Sequence, residues 1–193
     1  MDILHPTEEA LAFKEVTTSQ MVIEDAEQKL GDFNVTLKSL SVEAKELHAA
    51  ARDLVKEALF NHEEGHKKVT KSEWTDEQYE QSLQNLAARQ SKPWETLKTK
   101  AEEMRVKLEG PYKLVVASKN SCTRAARGSW LGFATYDQKE LRRVLDHKLK
   151  LEFEDAALAY ASLTDYPDGL LTQVELLFKK AQVVLGTDKS EAK

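Results

Sequence analysis

Eleven positions near the N-terminus, Ile23, Ala26, Leu30, Phe33, Leu37, Leu40, Ala44, Leu47, Ala51, Leu54 and Ala58, follow one another at gaps that alternate three and four. This is a heptad seam, a stripe along one side of a helix that can be buried only against other helices. It predicts an all-α chain. Only seven glycines and four prolines punctuate the 193 residues, too few for the turns of an all-β protein. With 41% hydrophobic and 32% charged residues, the chain can build a core under a solvated surface.

Thr7 reads as the N-cap of a first helix, with Glu8 and Glu9 in the first turn, where carboxylates meet the helix dipole favourably. That helix is expected from 8 to 62. Taking Ile23 as heptad position a puts Gly31 at the outward position b, and the seam stays in phase across it. Alanines at 26, 44, 51 and 58 alternate with larger residues and let a neighbouring helix approach closely. Residues 61 to 74, with Gly65 among them, read as the first connection.

Thr75 and Gln78 form a capping box that opens a second run, 76 to 127. Tyr79, Leu83 and Leu86 supply its face before Pro93; Trp94, Leu97, Ala101, Met104 and Leu108 continue it afterwards. Pro93 is expected to break this run and Gly110-Pro111 to stop its helix, leaving Leu114-Val115-Val116 as a buried helical turn. A third run, 137 to 186, opens on a capping box of Thr135 and Gln138. Its stripe is Leu141, Leu145, Leu149, Phe153, Ala156, Tyr160 and Leu163. It breaks at Tyr166-Pro167-Asp168-Gly169, where proline presets φ and glycine is expected to take positive φ. Leu170, Val174, Leu177, Ala181 and Val184 carry the last helix to Gly186.

The expected fold is therefore one helical domain over 1–193, with short flexible ends of about 1–6 and 187–193. It is read as an elongated antiparallel bundle of three long helical runs, the second and third broken by Pro or Gly, with coiled-coil-like packing.

Charge is unevenly spread. Residues 111 to 150 carry nine Lys/Arg against three Asp/Glu, a block of +6 inside a chain whose net charge is -5. Residues 1 to 62 carry six against twelve, so the block either compensates the acidic first helix or forms an anion-binding face. The candidate anion- or lipid-binding residues are Lys113, Lys119, Arg124, Arg127, Trp130, Arg142, Arg143, Lys148 and Lys150, interleaved with the aromatics Phe133 and Tyr136. No nucleic-acid motif accompanies them, and the acidic total argues against nucleic acid as a partner.

His62-Glu63-Glu64-Gly65-His66 fits the H-E-x-x-H pattern and over these five residues resembles the zinc metalloproteases, in which two histidines one turn apart bind zinc and the glutamate activates water. The resemblance implies His62 and His66 as metal ligands and Glu63 as the base. Val69 and Ser72 stand where metzincins place glycine and histidine, Lys67-Lys68 put cations beside the site, and Glu73 is a third ligand by proximity alone. The favoured reading of the motif is a solvated helix end. Cys122 has Lys119 and Arg124 near it, which would lower its pKa, but no histidine–acid pair to make it a nucleophile.

No run approaches the ~18 apolar residues of a membrane span, and the N-terminus lacks a basic n-region followed by an apolar stretch. With one cysteine unable to form an internal disulfide, a cytoplasmic location is expected. Seams without catalytic residues point to a non-catalytic interaction or scaffold protein that binds protein partners or itself, with no cofactor. Leu59, Phe60, Leu171, Phe178 and Leu185, beside the main stripes, are candidates for self-association. The alternatives are a peripheral membrane module using 113–150 on an acidic membrane surface, and a zinc-dependent hydrolase at His62 and His66.

Overall fold

The structure, a computed structural model, describes residues 8–127 and 136–187, and the side chains of 20–127 and 138–187. All regular elements among the described residues are helical: α1 (Glu8–Thr70), α2 (Asp76–Ala126), α3 (Tyr136–Val144), a π-helical turn (Leu145–Leu149), α4 (Lys150–Thr164) and α5 (Leu170–Val184). The caps expected at Thr7 and Thr135, and the aromatics Trp130 and Phe133, lie outside the described residues. The chain gathers into two compact units. The first takes the chain up to Lys38 with Lys107–Tyr160, and the second Ser39–Val106 with the chain from Ala161.

In the first unit Ala26, Leu30 and Phe33 of α1 are buried, as are Leu108, Val115 and Cys122 of α2 and Leu141, Leu149 and Phe153 further on. The Ser118 hydroxyl donates to Asp25 at 3.1 Å, the Cys122 thiol to the Val22 carbonyl at 3.6 Å, and the Phe33 and Tyr112 rings lie 5.7 Å apart. Partners thus descend along α2 as they ascend along α1. Tyr112 also stacks on Tyr160 of α4 at 3.9 Å with the rings 7° from parallel, which closes α4 onto α2.

In the second unit the alanine layers do what their size allows: Ala44, Ala51 and Ala58 have no exposed surface. Gln90 is a polar side chain buried among these helices, at 2% exposure. Its amide nitrogen donates to the Leu54 carbonyl at 3.0 Å and to Glu57 at 2.8 Å, and its oxygen accepts from the Trp94 indole at 3.3 Å. A network so satisfied fixes one register of α2 on α1 within this unit, because a shift would strand its groups without partners. Arg105 donates to the Thr172 hydroxyl at 2.9 Å, and that hydroxyl donates on to the Thr164 carbonyl at 2.7 Å, tying the start of α5 to α2 and to the end of α4. Leu171 and Leu185 are buried here, and Phe178 packs on Trp94 at 5.4 Å. Of the residues expected to be spare for self-association, Phe60 is the one left widely exposed, at 64%.

Several expected boundaries are corrected. α1 does not end at 62 but continues to Thr70, so H-E-x-x-H lies within a helix and not in a connection. Gly65 is buried, and a Cβ on it would come within 2.6 Å of Tyr79 Cδ2; the glycine makes room for that ring and does not punctuate the chain. α1 ends instead in a Schellman motif. Ser72 stands at φ 59° and donates its N–H to the Val69 carbonyl, while Glu73 donates to the Lys68 carbonyl, both at 2.9 Å. The capping box at Thr75 and Gln78 forms as expected, with reciprocal bonds of 3.0 and 3.3 Å.

α2 is broken neither at Pro93 nor at Gly110-Pro111 and includes Leu114-Val115-Val116. Each proline removes the bond to the carbonyl four residues before it, Arg89 or Lys107. Arg89, Pro93 and Lys107 are exposed, so those carbonyls lie on a side that water can reach. Gly169 is at φ −63°, not at positive φ. It is required because a Cβ would meet the Asp165 backbone nitrogen at 2.6 Å, the same approach that gives a 2.7 Å bond from Gly169 N–H to the Asp165 carbonyl. Among the described residues the positive-φ glycine is Gly186, which closes α5 in a second Schellman motif.

Candidate functional site

The third run contains a turn that its stripe foreshadows. Leu141, Leu145, Leu149 and Phe153 are spaced four apart three times running, wider than the 3.6 residues of an α-helical turn. A π turn absorbs the excess. Lys150 donates its backbone N–H to the Leu145 carbonyl five residues back, which keeps Leu149 and Phe153 buried and turns Asp146 outward.

Facing it is the end of α2, where Lys119 and Thr123 are four apart on one side of the helix and Arg127 follows in the turn just past it. Between the two lies a pocket of about 400 Å³ in the first unit. The cationic residues Lys119, Arg127, Arg142 and Lys150 line it, with Asp146 and with Thr123, whose hydroxyl donates to the Lys119 carbonyl at 2.9 Å. Its remaining walls are the apolar Ala126, Leu145 and Phe153. Four cations therefore face one carboxylate around a partly apolar concavity. Arg142 is positioned by a 2.5 Å bond from its Nε–H to the Ala126 carbonyl, which meets an end carbonyl of α2 with the charge its dipole favours. Among the described residues Lys119, Arg127 and Lys150 have no carboxylate within 4 Å, so their charge is not spent on an ion pair.

The other residues named from the +6 block are deployed differently. Lys113 pairs with Glu109 at 2.6 Å, and Arg143 grips Glu140 in a two-pronged contact. Lys148 reaches Glu27 of α1 at 2.5 Å. Bonding to these carboxylates raises the pKa of Lys113 and of Lys148, and bonding to Arg143 lowers that of Glu140. Arg124 is exposed in the last turn of α2 and does not line the pocket, while Trp130 lies outside the described residues. Of these pairs, Lys148 with Glu27 reaches the first helix, while Lys113 and Arg143 pair within their own helices. Sequence reasoning missed Thr123, Ala126, Leu145, Asp146 and Phe153. The four-residue spacing of 119, 123 and 127 was the available signal for the first of them.

His62 and His66 are not joined by a third ligand: among the described residues no group of three or more His, Cys, Asp and Glu side chains is placed to hold a metal ion. The His62 ring meets Tyr79 edge-on at 5.9 Å, and His66 Nδ1 lies 3.5 Å from the Thr70 hydroxyl. Glu64 bonds Lys67 at 2.7 Å, which holds its carboxyl below the usual range, and Glu73 is exposed in the following turn.

Cys122 also departs from expectation. Its thiol is not lowered by Lys119 and Arg124 but is pushed up to about 11, first by burial and then by the Asp25 carboxylate. The reason is direction, since the thiol faces Val22 and Asp25 of α1.

Comparison with known proteins returned no match to family models, to curated proteins or to solved structures.

Proposed function

We propose that this chain is a non-catalytic α-helical interaction protein of the cytoplasm, folded as an antiparallel, coiled-coil-like bundle, that recognises an anionic group of a protein partner. The observation that carries the reading is the pocket of Lys119, Arg127, Arg142 and Lys150, none of which has an ion pair among the described residues. Cations left unpaired around a concavity attract anions over roughly a Debye length and fix them at short range. The descending contacts between α1 and α2 in each unit, and the register set by Gln90, support the bundle.

The test is a binding assay with a polyglutamate peptide, run beside flotation of acidic and neutral phospholipid vesicles at low and at near-physiological salt. Salt-sensitive binding of the peptide, lost in Arg127→Glu with Lys150→Glu while the helical spectrum persists, supports the protein-partner reading. Binding of acidic vesicles alone would move the assignment to a peripheral membrane protein, a reading that Leu151, exposed beside Lys150, favours. Binding of neither would remove the pocket as the working surface.

A further inference from the structure

The pocket is more than a basic patch, and its walls restrict the anion it fits. Ala126 and Phe153 are buried, at 6% and 3% exposure, and Leu145 is half-buried. Leu145 is therefore the apolar side chain most open to a ligand, backed by Ala126 and Phe153. The stems of Lys119, Arg127 and Lys150 add to this apolar surface, since long cationic side chains lay their methylenes along apolar surface and keep their heads in water. A fully hydrated inorganic anion would satisfy the cations but leave this surface wet. A neutral apolar molecule would cover it but leave the cations unused. At about 400 Å³ the pocket is within the size range of small-molecule sites, and is larger than a bare phosphate or carboxylate requires.

From this combination we infer that the pocket binds a small amphiphilic anion, a carboxylate or phosphate carried on a hydrocarbon body, with its charge among Lys119, Arg127, Arg142 and Lys150 and its body on Leu145 and the methylene stems of the cations. The inference rests on the anion-binding reading of the same pocket and goes beyond it by naming the ligand class. The anionic head bonds the lysine and arginine donors, and Asp146 disfavours a second negative charge on its side of the site. An amphiphile offered by a partner, such as an acylated segment, and a free fatty acid share this chemistry.

The experiment is calorimetric titration of the full chain with acetate, hexanoate, octanoate and decanoate, with inorganic phosphate and decanamide as controls. Decanoate is expected to bind one per chain, and affinity to rise along the series by up to roughly fourfold per methylene seated on the apolar wall. Phosphate and acetate are expected to bind at least about tenfold more weakly than decanoate, as is the uncharged decanamide. Leu145→Asn, checked for an unchanged helical spectrum, should flatten the chain-length series. Arg127→Glu with Lys150→Glu should abolish binding of every anion. The series needs no variant, so it decides the matter even if Leu145→Asn does not fold.

Equal affinity for acetate, phosphate and decanoate would overturn this inference while leaving the anion-binding reading in place. Equal affinity for decanoate and decanamide would overturn both, and so would the absence of binding by any of these probes. A decanoylated peptide and free decanoate, titrated side by side, separate the two sources: tighter binding of the acylated peptide points to the partner-borne group, and tighter binding of the free acid to a soluble ligand.

Discussion

Arg142 donates its Nε–H to the carbonyl of Ala126, sixteen residues earlier, at 2.5 Å. Ala126 is the last residue of α2, so the bond places a cation against a helix C-terminus and joins α3 to α2 beside the pocket. Arg142→Ala is expected to destabilise the protein by about 1–2 kcal/mol, as loss of a charge-assisted bond at a helix end should. Neighbouring Arg143 pairs with Glu140 on its own helix, with its side chain 68% exposed, and Arg143→Ala is expected to cost no more than about 0.5 kcal/mol. Urea unfolding of the two variants checks the contrast. Equal effects would show that the Ala126 contact contributes nothing particular.

Gly65 distinguishes packing from metal binding as the reason for the H-E-x-x-H match. In a helix, Gly→Ala should stabilise by about 1 kcal/mol from propensity alone. Here the new methyl would press on the Tyr79 ring, which is itself packed on His62, so Gly65→Ala is expected to destabilise by about 1–3 kcal/mol. His66→Ala, at an exposed position, should stay within about 0.5 kcal/mol of the parent. Thermal melts with and without chelator measure both. A gain in stability for Gly65→Ala would remove the packing explanation, and a chelator-sensitive melt lost in His66→Ala would restore the metal.

Legibility followed how local each signal was. The seam needed only spacing, and from Ala26 to Ala58 it marks buried positions well, with Leu37 and Leu54 half-buried and Val55 drawn inward beside Leu54. The capping box at Thr75 needed only four residues. What failed depended on neighbours far along the chain. Pro93 and Pro111 look like breakers because sequence does not show that Arg89, Pro93 and Lys107 face water. Gly65 looks like a loop residue until Tyr79 is seen above it. The nine residues named around the +6 block held the four cations of the pocket, but nothing local separates them from Lys113, Arg143 and Lys148, whose partners the fold supplies.

Ser72 offers a gain in stability. Its φ of 59° is a conformation that costs most L-residues about 1–2 kcal/mol and glycine almost nothing. Ser72→Gly keeps both Schellman bonds, which are backbone to backbone, and loses some ground to the freer unfolded chain. The net expectation is a gain of about 1 kcal/mol, or about 2–4 °C in Tm for a chain of this size. Ser72→Val should shift Tm in the opposite direction, because a β-branched residue resists positive φ. A lower Tm for the glycine variant would show that the serine side chain contributes something the backbone geometry does not reveal.

Cys122 predicts the alkaline limit of stability. Its thiol titrates at about 11 in the folded protein against an ordinary value of 9.0, because burial and the Asp25 carboxylate both oppose the thiolate. Between those two values the folded state holds a proton that the unfolded state has released, so stability contributed by this group is full below pH 9.0 and falls as pH rises towards about 11. Cys122→Ala removes the titration but opens a small cavity, so it should lower stability at neutral pH and flatten its decline above pH 9. The measurement is Tm against pH for both proteins, paired with a disulfide reagent at pH 8 that is expected to label Cys122 only on unfolding. Parallel Tm curves above pH 9, or rapid labelling of the folded protein, would show that the thiol is not held in the buried, proton-bound state described.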